Sequence, residues 1–433
     1  MFKTLKEAFK MKDLRSKILI TLLLLLVYRI GCWLPVPGID PIVFSTNVEN
    51  NTFLNLLSSL AGGALQNGAI LAIGVGPYIT SSIVMQLLTI AIPSLERLSK
   101  QGDDGRKKIA VYTRYAALVL ALAQATAIVL SFNNSDAIKY DLFGANIHAF
   151  VPCLVVILTL TAGSMFTVWI GERITEKGVS NGMSMLIFVG ILSTGVSALY
   201  GAFTTVVSDG IENIIEPLVF LVLLVAIFMM IIFVDLGERK IPVAYAKQMR
   251  GRKMYGGQNT HIPIKVHANG VLPIIFAFAL ISFPQLIISI FWQGTSADIW
   301  FAQNLGTGTW LNMIVLSLLI LAFAYFYSSI QFNPEDISRR LQQNGGFVLG
   351  YRPGKPTADF LKRVNKRITF FGALFLMLVA LLPSLVFMIA IPGANLLNAF
   401  SAIGLLIIVS VALEFEKNLE SQMLMKTYKG FLK

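Results

Sequence analysis

Apolar residues in this chain come in long runs, not in the three-and-four spacing of a soluble amphipathic helix. Ile18–Leu34 and Pro217–Val234 approach the ~20 residues a helix needs to cross ~30 Å of hydrocarbon. The pattern predicts ten spans, at 18–34, 71–92, 111–132, 150–170, 183–203, 215–234, 270–291, 310–330, 368–391 and 398–413. The ten-residue alternation of a membrane β-barrel is absent. The expected fold is therefore an all-α polytopic membrane protein.

The polar positions between the runs orient them. With ten spans, 33 of the 35 Lys and Arg residues fall at the two ends of the chain or in the even-numbered connections, where they face 15 acidic residues. The other side holds Lys139 against 8 acidic residues, and Arg29 lies inside span 1. The positive-inside rule puts the basic side, with both termini, in the cytoplasm. Four units follow: an amphipathic segment at 1–17, an N-terminal half at 18–203, a C-terminal half at 204–413 and a tail at 414–433. Span 1 runs into "WLPVPG" with no small-residue cleavage site, so it reads as a retained helix, not a signal peptide. Arg29, about one turn from the outer end of span 1, is either a functional intramembrane charge or a side chain snorkelling to the interface.

One stretch breaks the pattern. "SSLAGGALQNGAILAIGVGPYIT" (Ser58–Thr80) is apolar enough for a membrane but rich in glycine, with a Gln-Asn pair and a proline, and glycine and proline are the poorest residues for an uninterrupted helix. Pro77 suits a first helical turn. From Pro77 to Ile92 is about 16 residues or ~24 Å of helix, short of a full crossing. The preceding stretch is either a re-entrant half-helix shielded from lipid inside the protein or a plain external loop.

Span 2 opens with "GVGPYI" (Gly74–Ile79) and span 7 with "GVLPII" (Gly270–Ile275). Five spans separate them, so the matched segments run in opposite directions. Two inverted five-span halves, 1–5 and 6–10, produce that relation.

Composition agrees: 55% of residues are hydrophobic and 13% charged, with mean hydropathy +0.72. Cys32 and Cys153, both near outer ends of spans, are expected as free thiols, although a bridge is conceivable. The histidines are His148, His261 and His267, all in expected loops, and no H-E-x-x-H or G-x-S-x-G occurs. "GYRPGKPT" (Gly350–Thr357) imitates a phosphate-binding loop with the glycine spacing one short and Pro356 after the lysine. No enzyme, cofactor or metal site is expected. The spans carry almost no ionisable groups, which argues against an ion-coupled secondary transporter, although backbone carbonyls could hold sodium.

Two basic connections, 235–269 and 331–367, are longer than helix connections usually are. "ERKIPVAYAKQMRGRKMYGG" alternates basic with apolar and aromatic residues, as a hairpin does, with its tip at Met249–Met254. The second loop holds Arg339, Arg340 and "LGYRPGKPTADFLKRVNKR". The charge either sets topology only or forms a docking surface, for ribosomal RNA through phosphate neutralisation or for an acidic cytosolic protein.

Taken together, "YRIGCWLPVPGID" (28–40), "GGALQNGAILAIGVGPYITSSIVMQLL" (62–88), "QGDDGRKKIAVYTRY" (101–115), "GERITEKGVSNGMSMLIF" (171–188), "ERKIPVAYAKQ" (238–248), "THIPIKVHANGVLPIIFA" (260–277) and "FNPEDISRRLQQNGGFVLGYRPGKPT" (332–357) give the chain a resemblance, over essentially its whole length, to the SecY/Sec61-alpha family of channel subunits of the protein translocase. The resemblance implies ten helices in two pseudo-symmetric halves around an hourglass pore. It implies a plug at about Leu54–Leu71, including Leu60, Gly62, Gly63, Leu65, Gln66 and Asn67. It also implies a pore ring of Val75, Ile79, Met183, Ile187, Ile275 and Ile407. Isoleucine predominates in the ring of many relatives, and Val75 and Met183 depart from it while staying apolar. Each of the six would otherwise read as ordinary core. A ring of this kind gates by dewetting and holds no cargo segment strongly.

The resemblance further implies a lateral gate between spans 2–3 and 7–8, through which apolar segments pass into lipid. Gln86, Gln124 and Asn181 then either form a polar cluster holding that seam shut or are separate amides bonded nearby. Docking residues for the motor ATPase SecA and the ribosome would include Arg250, Arg252, Lys253, Arg339, Arg340, Arg352 and Lys355, with Arg352 at the position tied to motor-driven transport. SecE and SecG are implied as membrane partners, and signal peptides and the bilayer as the other contacts of a bacterial cytoplasmic-membrane channel. The remaining alternative is an inverted-repeat transporter of a small solute.

Overall fold

The computed structural model describes residues 2–50, 54, 58, 61–132, 150–209, 215–245, 248–250, 253–255, 260–266, 270, 272–291, 295–306, 309–390 and 402–431. The short amphipathic α1 (Phe2–Lys10) precedes α2 (Lys12–Gly31), and α3 (Pro41–Asn50) follows. The N-terminal half continues with α4 (Gly76–Ala91), α5 (Pro93–Ser99), α6 (Asp103–Phe132), α7 (Phe150–Lys177) and α8 (Gly182–Asp209). The C-terminal half contains α9 (Ile215–Asp235), α10 (Leu272–Phe291), α11 (Ser296–Leu305), α12 (Trp310–Gln331), α13 (Pro334–Gln343), α14 (Lys355–Ala390) and α15 (Ala402–Phe431). Every expected span overlaps a helix. Among the described residues, five helices are long and apolar enough to cross a membrane, or six if the bent pair α4–α5 is one span.

Several boundaries differ from the hydropathy reading, each for a local reason. The helix of span 2 starts at Gly76, not residue 71, with Pro77 in its first turn. It ends where Ile92, before Pro93, is extended (φ −107°, ψ 113°), and α5 departs at 106°, since a residue before proline disfavours the helical region. The connection 331–367 is mostly ordered structure. Asn333 caps α13 by accepting from Glu335 and Asp336 backbone N–H groups, and α14 begins at Lys355, well before its apolar part. The tail is helical too, as the continuation of α15. The short helices α3 and α11 carry no hydropathy signal long enough to reveal them.

The two halves pack alike. In the first, α4 lies on α6, α6 on α7 and α7 on α8; in the second, α10 lies on α12, α12 on α14 and α14 on α15. The halves meet where α6 touches α10 and, on the other side, where α8 touches α15 and α9. The sequence repeat extends into backbone geometry. Gly74 and Gly270 have left-handed φ values of 60° and 59°, and each helix begins two residues later. Four residues before each glycine, a carbonyl is approached by a glycine on the fourth helix of the same half: Ile70 O by Gly163 on α7, and Val266 O by Gly372 on α14.

Both long basic connections contribute to one small sheet. β1 (Glu238–Tyr245) pairs antiparallel with β4 (Thr260–Lys265) through Ile241↔Ile262, and with β5 (Gly346–Val348) through Val243↔Val348. The order is β4-β1-β5. Ile241, Val243, Ile264, Leu341, Val348 and Leu361 form its apolar core. The expected hairpin is present as β2 (Gln248–Arg250) and β3 (Lys253–Tyr255), with Arg250 opposite Lys253.

Candidate functional site

The glycine-rich stretch is folded into the protein. From Ala61 to Val75 the backbone is a succession of turns, so the expected half-helix does not extend through this part. Gly62, Gly63, Gly68 and Gly74 all have φ between 57° and 79°, which residues with a Cβ rarely adopt. A Cβ on Gly62 would also lie 2.8 Å from Gly190 Cα on α8. Glycine here permits both the turns and the close approach to a helix. Ala61, Ala64, Ala69, Leu71 and Val75 join the large central cluster, while Leu65, Ala72 and Ile73 join a second cluster with α3, α6 and α7. Gln66 is half-buried and Asn67 exposed; Leu60 lies outside the described residues.

Backbone and side-chain bonds satisfy the turns, as buried peptide groups require. Val36 N–H donates to Gly68 O at 2.8 Å, and Ile70 N–H to Leu34 O at 2.9 Å. Ser164 Oγ on α7 donates to Gly74 O at 2.9 Å. Span 1 supplies the rest: Arg29 Nη1 donates to Gly62 O at 2.8 Å and Tyr28 Oη to Ala61 O at 3.5 Å, and Asn67 Nδ2 donates back to Cys32 O at 3.4 Å. Arg29 thus binds the glycine-rich segment, which corrects the snorkelling alternative. The signal was present in the sequence as a cation within an apolar span, but its acceptor is a backbone carbonyl and leaves no residue-type signature. Cys32 is buried, and both Cys32 and Cys153 are free thiols.

The six expected aliphatic positions all belong to the large central core or pack against it. Val75, Ile187 and Ile407 are buried within it, and Ile79, Met183 and Ile275 are half-buried against it. Val75 and Ile79 are i,i+4, as are Met183 and Ile187, so each pair shares a helix face. Met183 also fills the space beside Gly171, where a Cβ would stand 2.5 Å from its sulfur.

The three amides do not form a hydrogen-bonded group among the described residues. Gln86 is exposed and donates to Ser82 Oγ at 3.5 Å. Asn181 caps α8, its Oδ1 accepting from Met183 N–H at 3.0 Å. Gln124 Oε1 is buried without a partner among the described residues.

On the basic side, Arg339, Arg340, Arg352 and Lys355 are all exposed. Arg352 stands on a tight turn: Tyr351 N–H donates to Val348 O at 3.1 Å, Gly350 and Gly354 have φ of 87° and 94°, and Tyr351 stacks on Phe360 at 4.2 Å between centroids. Ser338 Oγ ties α13 to this turn through Gly354 O at 2.7 Å. Arg250 and Lys253 face each other across the hairpin backbone; Arg252 lies outside the described residues.

This architecture is that of a multi-pass helical membrane protein in two inverted halves, with an apolar waist and a turn-rich wedge folded against it. The SecY family model matches residues 69–416. Curated relatives named Protein translocase subunit SecY include one from Halalkalibacterium halodurans, 41% identical over 100% of both chains, and one from Corynebacterium glutamicum, 39% identical over 99% of both. The chain belongs to the SecY family. The fold is shared with a solved protein-conducting channel (TM-score 0.65, 18% identity, 95% of this chain and 93% of that one). It is shared equally with a SecY protein whose plug domain is described as stabilising the closed state and maintaining a membrane seal (0.65, 17%, 95% and 93%). A third similar structure is Sec61 in a canine ribosome–channel complex (0.63, 17%, 95% and 93%).

Proposed function

We propose that the protein is a passive channel through which unfolded polypeptides cross the bacterial cytoplasmic membrane and from which apolar segments move sideways into lipid. The observation that supports this reading is the shared core: Val75, Ile79, Met183, Ile187, Ile275 and Ile407 belong to or pack against the same apolar cluster as Ala61, Ala64 and Leu71 of the wedge. Aliphatic side chains meeting at one waist exclude water and ions and offer a threading chain no strong site. The segment from about 54 to 71 acts as the plug and the six aliphatic residues as the ring. The seam between α6 and α10, which touch, is the lateral gate. Apolar segments leave through it at a gain of ~0.3–0.6 kcal/mol per Leu, Ile, Phe or Val, against ~2.5–3.5 for each mid-helix charge.

Both termini and the β4-β1-β5 platform face the cytoplasm, where the basic residues concentrate. The platform docks the SecA motor and the translating ribosome, an assignment supported by the ribosome-bound neighbour and by the exposed Arg339, Arg340, Arg352 and Lys355. SecE and SecG complete the membrane assembly. Work comes from the partners and the membrane potential.

The test is reconstitution of the chain with SecE and SecG in liposomes, with a SecA motor, ATP and a signal-bearing preprotein. Protease-protected cargo is the expected result. Docking without protection would overturn the reading, and solute counterflow in the same vesicles would favour a transporter.

A further inference from the structure

The wedge is held in two different ways. From Gly68 to Gly74 its ties are to fixed structure. Two backbone bonds join it to 34–36, Pro35 bridges Ala69, and α7 contributes the Ser164 bond and the close approach of Gly163 to Ile70 O. From Ala61 to Asn67 the picture changes. Bonds such as Gly63 N–H to Ser58 O and Asn67 N–H to Gly63 O are local to the segment. Among the described residues, the hydrogen bonds from this tip to the rest of the protein involve the side chains of Arg29, Tyr28 and Asn67 and a long contact of the Cys32 thiol, whose Sγ donates to Ala61 O at 4.0 Å. The Arg29 bond is the short one, at 2.8 Å, and it comes from an ionised donor. Such bonds are roughly twice as strong as neutral ones.

We propose that Arg29 is the latch of this wedge: its guanidinium holds the tip 61–67 in the closed channel through Gly62 O, while 68–75 stays anchored when the tip leaves. This rests on the reading of the wedge as the plug. Three features make Arg29 suited to the role. It belongs to the last turn of α2 and is only half-buried, so a released guanidinium can exchange the carbonyl for interfacial water. Gly62 lies between the guanidinium and α8, with its hypothetical Cβ 2.9 Å from Arg29 Nη1 and 2.8 Å from Gly190 Cα. The latch therefore engages only when the tip is fully seated against α8. Finally, the latch and the anchor share span 1 and its continuation, so the tip can swing without dragging α4 or the ring residue Val75. Arg29 is a positioning residue; it need never touch the cargo.

The experiment measures ion leak through the idle reconstituted channel in proteoliposomes. Arg29→Met is expected to raise leak about tenfold, because it removes one charge-assisted hydrogen bond from the closed state only. Arg29→Lys, which keeps a cation but not the planar fork, is expected to fall between the two. Gly62→Ala, which leaves Arg29 intact but blocks seating, should leak like Arg29→Met. A second readout separates latching from general damage. In an Arg29→Met, Asn67→Cys, Cys153→Ser channel, oxidation of the new thiol with Cys32 re-ties the tip and should return leak to the wild-type value, with reduction releasing it again. A channel lacking 61–67 sets the ceiling. If that channel leaks but Arg29→Met does not, or if the closed bridge fails to reverse the Arg29→Met leak, the latch is overturned and the plug stands. If the channel lacking 61–67 is as tight as wild type, the plug reading falls and the latch with it.

Discussion

The two Gly-Val-x-Pro helix starts share a backbone but not a setting. Gly74 and Gly270 have nearly the same φ, and in each half a carbonyl four residues earlier rests against a glycine of the fourth helix. Around Gly74 the chain is packed: a Cβ would lie in van der Waals contact, 3.4 Å from Ala61 Cβ, and Ser164 bonds its carbonyl. Around Gly270 nothing among the described residues stands within 4 Å. The same device has been put to two uses. In the first half the chain before the helix folds inward and becomes the wedge. In the second it comes from β4 of the exposed platform. An inverted repeat conserves the turn that starts the helix, while the chain before that turn is free to specialise.

Substitutions at the four glycines turn this comparison into measurements. The largest effect is expected from Gly163→Ala. The new methyl would collide with Ile70 O, a backbone atom of a residue whose N–H is bonded to Leu34 O, and overpacking against a rigid neighbour costs about 3 kcal/mol. Thermal unfolding in nanodiscs should show it, with increased ion leak because the anchor of the wedge moves. Gly74→Ala follows at about 2 kcal/mol, the upper end of the cost of a left-handed alanine, in a site where the methyl would touch Ala61. Gly270→Ala and Gly372→Ala should cost about 1 kcal/mol each, the former from φ alone and the latter from a milder 2.8 Å approach to Val266 O, without any leak. Equal costs for Gly74→Ala and Gly270→Ala would show that the crowding around the first start carries no energy.

The hydropathy and charge pattern made the helical, inverted fold legible because membrane spans are written in twenty-residue blocks and orientation in Lys and Arg alone. The motif pair at Gly74 and Gly270 was legible as well, since proline and glycine act locally. Three things were not. The turns of 61–75 depend on four left-handed glycines and on bonds from span 1 to carbonyls, and a carbonyl is the same in every residue. The strand Gly346–Val348 is three residues long, and only β1 of the other loop makes it a strand. The grouping of Gln86, Gln124 and Asn181 required three long-range positions at once, and Asn181 is engaged as a helix cap instead. Local chemistry is readable from one segment, whereas pairing between segments is not.

The smallest effect on stability should come from the platform, and it sharpens the same contrast from the opposite side. Arg352 is exposed at the tip of a turn whose geometry comes from Gly350, Gly354, Ser338 and the Tyr351–Phe360 stack, none of which needs the guanidinium. Arg352→Ala should therefore change unfolding free energy by less than about 0.5 kcal/mol and leave idle leak unaltered, while weakening a docked partner. If the contact is to ribosomal phosphate, the slope of log affinity against log salt should fall by about one unit. If it is to an acidic protein surface, the association rate should drop and the rate's salt dependence flatten instead. An increase in leak from Arg352→Ala would show that platform and wedge are mechanically one unit, contrary to the separate supports the structure gives them.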